Sequence, residues 1–156
     1  FCTATPVALP TLAFEPFIEA LRAAPDASEV VIEPSYTLRL STATVAGAPG
    51  SRVHAPLHLT NTGTQRLASR GRFPVHVSYH LRGADGGLVQ FDGVRTVLPA
   101  PIEPGAQAVV DVTIELPAVA GEYRAQVTLV QEGMAWLEDL HAPTADVELQ
   151  VREDAP

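Results

Sequence analysis

The chain has 156 residues, 46% hydrophobic and 18% charged, which are globular values at a length that can bury a core without disulfide help. Its formal charge of −8, carried against ten arginines and no lysine, leaves no basic patch and excludes a phosphate-neutralising nucleic-acid surface. Cys2 is the only cysteine, so an intrachain disulfide is excluded, and no apolar run approaches the ~20 residues of a membrane helix.

Residues 1–35 are punctuated by Pro6, Pro10, Pro16, Pro25 and Pro34 and read as a linker or a short helical segment. Within it, Pro16 to Ala24 predicts a helix with Phe17, Ile18 and Leu21 on one face, ended by Pro25. That helix is either the tail of an upstream region or a cover for one end of the domain that begins at Tyr36. No signal peptide is recognisable and the chain opens on Phe1, so it is expected to be a piece of a longer protein.

From Tyr36 the hydrophobic period changes to two. Tyr36, Leu38 and Leu40 form one inward row, and Ala48-Pro49-Gly50 makes a turn. Val53, Ala55, Leu57 and Leu59 form the next row, with His54, His58 and Thr60 outward, and Asn61-Thr62-Gly63 ends that strand. After a polar loop at residues 64–73, Val75, Val77, Tyr79 and Leu81 continue the alternation. Ala84-Asp85-Gly86-Gly87 predicts a hairpin turn, because Asp-Gly accepts positive φ at little cost. A short return strand comes next at Leu88 to Phe91, then a turn at Asp92-Gly93, and a brief strand at Val97-Leu98 stopped by prolines. Val110, Val112, Ile114 and Leu116 give another row. Gly121-Glu122-Tyr123 opens the strongest strand, with Tyr123 placed as in the tyrosine corner of Greek-key sandwiches. Val147, Leu149 and Val151 form the last row. About seven main strands with turn signals between them predict an all-β, immunoglobulin-like or jelly-roll-like antiparallel sandwich over residues 36–152, with a tail at 153–156.

Taken together, Asn61-Thr62-Gly63, Ser78-Tyr79-His80, Asp85-Gly86, Phe91-Asp92-Gly93-Val94-Arg95-Thr96, Leu98-Pro99, Pro104-Gly105, Gly121-Glu122-Tyr123 and Leu129-Val130-Gln131-Glu132-Gly133 with Trp136 resemble a bacterial β-sandwich family. The family is the C-terminal domain of the ATPase subunit (Wzt type) of O-antigen ABC exporters, with related modules appended to envelope glycosyltransferases and methyltransferases. The resemblance implies a carbohydrate-binding module that recognises a polysaccharide in the bacterial cytoplasm. It implies an ATPase or catalytic domain in the same polypeptide, and membrane association only through such a partner. The chain itself carries no phosphate-binding Walker A loop.

Strand parity supplies the candidate site. In this topology the strands at Val75 to Arg82, Tyr123 to Glu132 and Asp146 to Arg152 share one sheet. Their outward residues are His76, Ser78, His80 and Arg82, then Arg124, Gln126 and Thr128, then Asp146, Glu148, Gln150 and Arg152. The strip is either a ligand face, since sugar hydroxyls need such donors and acceptors, or an ordinary solvated one. The candidate ligand residues are His76, His80, Arg82, Arg95, Gln126, Glu132 and Trp136. Arg95 either joins Asp92 in holding a glycan or pairs with Glu132 to staple a turn. Trp136 either stacks on a sugar or plugs the sandwich end.

Catalysis finds no constellation. Asp92, Glu132, Glu138 and Asp139 fall near one end, but no motif fixes their separation, and no nucleophile elbow is present. His54 and His58 lie on one strand and His76 and His80 on another, in opposite sheets, and residues i and i+4 on a strand stand ~13 Å apart, too far to share a zinc ion. No metal or cofactor is therefore expected. The sequence reads as a non-catalytic accessory module that binds a glycan on an exposed sheet face. The alternative is an interaction module that docks a catalytic domain or a second copy of itself.

Overall fold

Alternation with period two buries one side of every long strand, and the inward rows of the sequence are the ones that meet. The computed structural model describes residues 25–154. Its strands are β1 (Tyr36–Leu40), β2 (Thr44–Gly47), β3 (Arg52–Asn61), β4 (Val75–Gly83), β5 (Leu88–Gln90), β6 (Thr96–Val97), β7 (Gln107–Glu115), β8 (Gly121–Gln131), β9 (Ala135–Trp136) and β10 (Ala145–Val151), with a 3-10 turn at Leu137–Leu140. A small sheet has the order β1-β3-β7, and a large one the order β2-β10-β8-β4-β5, with β6 also on β4 and β9 also on β8. All pairings are antiparallel except β2 with β10. The architecture is an immunoglobulin-like β-sandwich.

Ala55, Leu57 and Leu59 of β3 and Val110, Val112 and Ile114 of β7 face Val77, Tyr79 and Leu81 of β4, Val127 and Leu129 of β8, and Val147 and Leu149 of β10. Each large apolar side chain among them contributes roughly 1.5–3 kcal/mol by leaving water. Tyr79 also ties the two layers, because its hydroxyl accepts a hydrogen bond from the Glu115 backbone N–H at 2.9 Å. The tyrosine corner is present: the Tyr123 hydroxyl donates to the Val119 carbonyl at 2.7 Å. The Asp85-Gly86 hairpin turn is present too, with Gly86 at φ 84°.

Three sequence expectations need correction. The strand β2 is additional to the predicted set; its four residues are too short and too small for a clear alternation, and β10 recruits them in parallel. The boundary at residue 36 falls too late. Ala27 and Val31 are buried, and the buried Gln131 amide clasps the preceding strap, donating to the Glu29 carbonyl at 2.8 Å and accepting from the Val31 N–H at 2.9 Å. The polar loop at 64–73 contains a plug, since Leu67 is buried and bridges to Ile102. The helix expected at Pro16 to Ala24, and Cys2, lie outside the described residues.

Candidate functional site

The outward residues of the large sheet form a grid. Across β4, β8 and β10, His80 stands opposite Gln126, and Gln126 opposite Asp146; Arg82 stands opposite Arg124, and Arg124 opposite Glu148. Sequence parity predicts this strip, but as one continuous polar face. The structure divides it. At one end two segments run beside the sheet's strands, the loop from Phe91 to Arg95 along β4, and β9 with the 3-10 turn along β8, and lay side chains such as Phe91 and Trp136 over the outer face. Under this cover Ser78, His80 and Thr128 are fully buried. The expectation of an exposed Ser78, His80 and Thr128 is therefore wrong, because parity assigns a face and says nothing about a second layer laid over it.

Glycine makes the first approach possible. A Cβ on Gly93 would lie 2.5 Å from the Tyr79 carbonyl oxygen and 2.7 Å from its ring. Only glycine lets the loop come this close, and its N–H donates to that carbonyl at 3.0 Å. The Ser78 hydroxyl then donates to the Gly93 carbonyl at 3.0 Å.

Arg95 fastens the loop. Its Nε donates to Glu132 Oε2 at 2.6 Å, and its Nη1 reaches Asp92, the Ser78 hydroxyl and the Gly93 carbonyl. His76 Nδ1 meets the same Glu132 oxygen at 2.9 Å. Burial alone would push the Glu132 carboxyl up, but hydrogen bonds from Arg95 and His76, with their charge, hold it below the usual carboxylate range. The Arg95 guanidinium also lies 5.0 Å from the centre of the Trp136 ring. Of the two roles open to Arg95 in the sequence, the geometry displays the staple to Glu132.

The second segment encloses His80. Its ring stacks on Phe91 at 4.3 Å and touches Trp136 at 4.7 Å, while Phe91 and Trp136 meet edge to face at 5.1 Å. Nδ1 bonds to the Phe91 carbonyl, and Nε2 meets Glu138 Oε1 at 2.7 Å. Thus His76, His80, Arg95, Glu132 and Trp136, five of the seven candidates, belong to one bonded cluster. Phe91 and Glu138 complete it and are not among the seven. A signal for Phe91 exists in the sequence: it ends the hairpin partner of β4, next to the outward His80.

Arg82 and Gln126, the other two candidates, lie just beyond the cover. Arg82 Nε reaches Gln126 Oε1 at 3.4 Å, and Arg82 Nη1 the Gly86 carbonyl at 3.3 Å. Farther along, Arg124 pairs with Glu148 at 3.1 Å. A cleft of about 340 Å³ opens there between the hairpin turn and β8, lined by Asp85, Glu122, Tyr123, Arg124 and Glu148. A larger cleft, about 520 Å³, lies away from this strip, between Ser69, Arg70 and the Val97 to Pro101 segment. Its only charged side chains, Asp26 and Arg70, lie 3.5 Å apart and pair with each other. The open half of the strip therefore runs from the aromatic pair, half of Phe91 being exposed, past Gln126 and Arg82 to the smaller cleft. From Gln126 to Glu122 along β8 this is roughly 13 Å at ~3.4 Å per residue.

Among the described residues no three of His, Cys, Asp and Glu gather in a group able to hold a metal ion, and no helix is long and apolar enough to cross a membrane. No family model matches the chain, and no curated protein sequence matches it. Among solved structures it is similar to the CARDB domain of a Pyrococcus furiosus protein, at 16% identity and a TM-score of 0.46, over 80% of this chain and 100% of that one. It is similar to a PapD-like domain of human CEP192, at 19% identity and a TM-score of 0.39, over 85% of this chain and 96% of that one. A β-glucosidase from Listeria innocua, in complex with laminaribiose, contains a similar region, at 13% identity and a TM-score of 0.45, over 76% of this chain and 16% of the enzyme.

Proposed function

We propose that the protein is a non-catalytic binding module that holds a glycan on the open half of the large sheet. One observation carries the reading: an exposed aromatic edge, Phe91 braced by Trp136, stands beside Gln126, Arg82 and Arg124 on a rigid strand grid. An apolar ring face takes the C–H side of a sugar, and amide and guanidinium groups take its hydroxyls. Strands hold these groups in place, so little ordering is required on binding. A shallow polar face exchanges water hydrogen bonds for sugar ones, so affinity is modest.

Of the motif residues behind the resemblance to the exporter domain, Phe91, Asp92, Gly93, Arg95, Glu132 and Trp136 build the cover, and Ser78 and His80 lie beneath it. The same reading extends to an envelope-polysaccharide exporter or enzyme as the parent protein, acting in the bacterial cytoplasm, with the polysaccharide as ligand and an ATPase or catalytic domain as covalent partner. Glu132 serves as an ion-paired anchor, and a carboxyl held ionised is a poor proton donor, which favours binding over acid catalysis.

A docking module is the second reading, favoured by the consecutive exposed side chains Leu88 and Val89 on the short strand β5, at one edge of the large sheet. A glycan array of bacterial envelope polysaccharide fragments separates the two, with Phe91→Ala and Gln126→Ala as controls. Selective binding lost in both folded variants is the expected result. A folded protein that binds no fragment, and that self-associates or captures a partner domain through β5, overturns the glycan reading.

A further inference from the structure

We infer that the glycan is acidic, and that Arg82 selects it by seating a sugar carboxylate beside Phe91. The inference rests on the proposed glycan function and names the class of ligand that the open face takes.

A guanidinium drawn partly out of water needs a counter-charge. Among the described residues three arginines are half-buried, Arg66, Arg82 and Arg95. Arg66 Nε donates to Glu103 at 2.8 Å, and Arg95 Nε donates to Glu132 at 2.6 Å. Arg82 pairs with no carboxylate among the described residues. Its contacts are two long hydrogen bonds to neutral acceptors, from Nε to Gln126 Oε1 at 3.4 Å and from Nη1 to the Gly86 carbonyl at 3.3 Å. A guanidinium carries five N–H donors, and those on Nη2 meet no acceptor among the described residues. An anion from outside the chain would supply both the charge and the acceptors.

The neighbouring strand adds to the demand. Arg124 on β8 is the direct cross-strand partner of Arg82, so two like charges stand opposite each other, which opposes stability. Glu148 offsets Arg124 at 3.1 Å and leaves Arg82 uncompensated. A local arrangement that works against stability on an otherwise regular grid is the mark of a functional position.

The surroundings decide which anion. His80 and Arg82 lie on the same side of β4, two residues and roughly 7 Å apart. Phe91 stacks on His80 at 4.3 Å with half of its own surface exposed, and the exposed Leu88 is the β5 partner of Arg82. The spacing admits one pyranose ring, with its C–H face against Phe91 and Leu88 and a carboxylate substituent at Arg82. A carboxylate is planar and accepts two parallel N–H bonds from the guanidinium fork. Farther along the strip Asp85, Glu122 and Glu148 line the smaller cleft and would repel a second acid. The acidic sugar is therefore placed at the Phe91 end.

The test compares acidic envelope oligosaccharides with the same oligosaccharides after chemical reduction of their carboxyls to alcohols, each titrated into the full chain. The parent is expected to bind the acidic forms roughly tenfold more tightly or better, with a preference that weakens as salt is added. The Arg82 Nε–H signal in nitrogen-15 NMR should shift with the acidic form. Arg82→Gln should bind both forms alike, and Arg82→Lys should recover only part of the preference, because an ammonium lacks the fork. A structural arginine lowers stability when it is removed, whereas the urea midpoint of Arg82→Gln should equal or exceed the parent's. A midpoint well below the parent's overturns the inference. So does equal affinity of the parent for acidic and reduced forms, or a preference that survives Arg82→Gln; each of these leaves the glycan function standing. A folded parent that binds neither form overturns the glycan function, and the inference with it.

Discussion

Two histidine pairs separate the two outer faces of this sandwich. His54 and His58 lie on β3 of the small sheet, His76 and His80 on β4 of the large one; the spacing is the same and both pairs point away from the core. The His54 side chain is 56% exposed and lies 3.7 Å from Asp111, whereas the His80 side chain is 2% exposed with both nitrogens engaged. On the small sheet the outward polar groups form isolated contacts, such as Arg52 with Glu115 at 3.4 Å. Ion pairs of that kind contribute little. On the large sheet they have become the floor of a second, partly apolar layer. The core-facing alternation is equally regular in both sheets. What distinguishes them is a glycine thin enough to bring a loop down and an arginine placed to hold it.

The contrast can be broken at that glycine, where the largest effect is expected. In Gly93→Ala the new methyl would meet the Tyr79 carbonyl and ring, so the loop must lift from the sheet. A loss of about 3 kcal/mol is expected in urea unfolding, with Trp136 emission shifted toward the solvent-exposed value. A change below about 0.5 kcal/mol would mean that the loop is not seated on Tyr79.

Matched substitutions sharpen the comparison next. His80→Ala removes a stacked, doubly bonded ring and is expected to cost roughly 3 kcal/mol. His54→Ala, with the same parity on the other sheet, is expected to stay within about 0.5 kcal/mol. Equal costs would erase the distinction between the two faces.

Glu132→Gln should cost about 2 kcal/mol, because it weakens the anchor that Arg95 and His76 share. It should also change the pH profile. Burial opposes the charge on Glu132, but Arg95 and His76 outweigh it and lower its pKa in the folded protein. A lowered carboxylate adds stability that is present above its unfolded pKa of ~4.3 and is lost as pH falls through the folded value. Urea midpoints measured from neutral to acid pH should fall less steeply in Glu132→Gln than in the parent. Superimposable acid limbs would contradict the anchor.

The smallest expected effect has the opposite sign. The buried Tyr36 hydroxyl has no hydrogen-bond partner among the described residues. Tyr36→Phe should therefore be neutral or stabilising by up to about 1 kcal/mol. Burial first, and the Glu138 charge second, raise the phenol pKa in the fold. The parent should lose stability as pH rises past the unfolded tyrosine value of ~10, and Tyr36→Phe should lose less. A clear destabilisation at neutral pH would reveal a bond that the hydroxyl makes.

Most of the sandwich is legible in the sequence, because alternation is a direct consequence of one wet and one dry side. The inward rows from Val53 to Leu59, Val75 to Leu81 and Val110 to Leu116 are the core, and Tyr123 and Asp85-Gly86 stand where corner and turn chemistry put them. The pairing of Arg95 with Glu132 is one of the two roles that the sequence leaves open to Arg95. The burial of Ser78, His80 and Thr128 is not legible, because it depends on a loop whose path is set by the absence of one Cβ at Gly93. The strap at Ala27 to Val31 is hidden for a similar reason: its backbone is satisfied by a side chain, Gln131, a hundred residues away. Short irregular segments held by distant side chains leave no periodic trace.

The central claim is that ligands meet the large sheet at the seam between its covered and open halves. Residue-resolved NMR tests it most directly, with labelled protein titrated by envelope oligosaccharides, taken from the array's binders or, if there are none, from hydrolysed capsular and O-antigen polysaccharide. Saturable shifts are expected at Phe91, Arg82, Gln126 and Trp136, with His54 and His58 unmoved. Shifts confined to the small sheet, or none at saturating oligosaccharide, would contradict it.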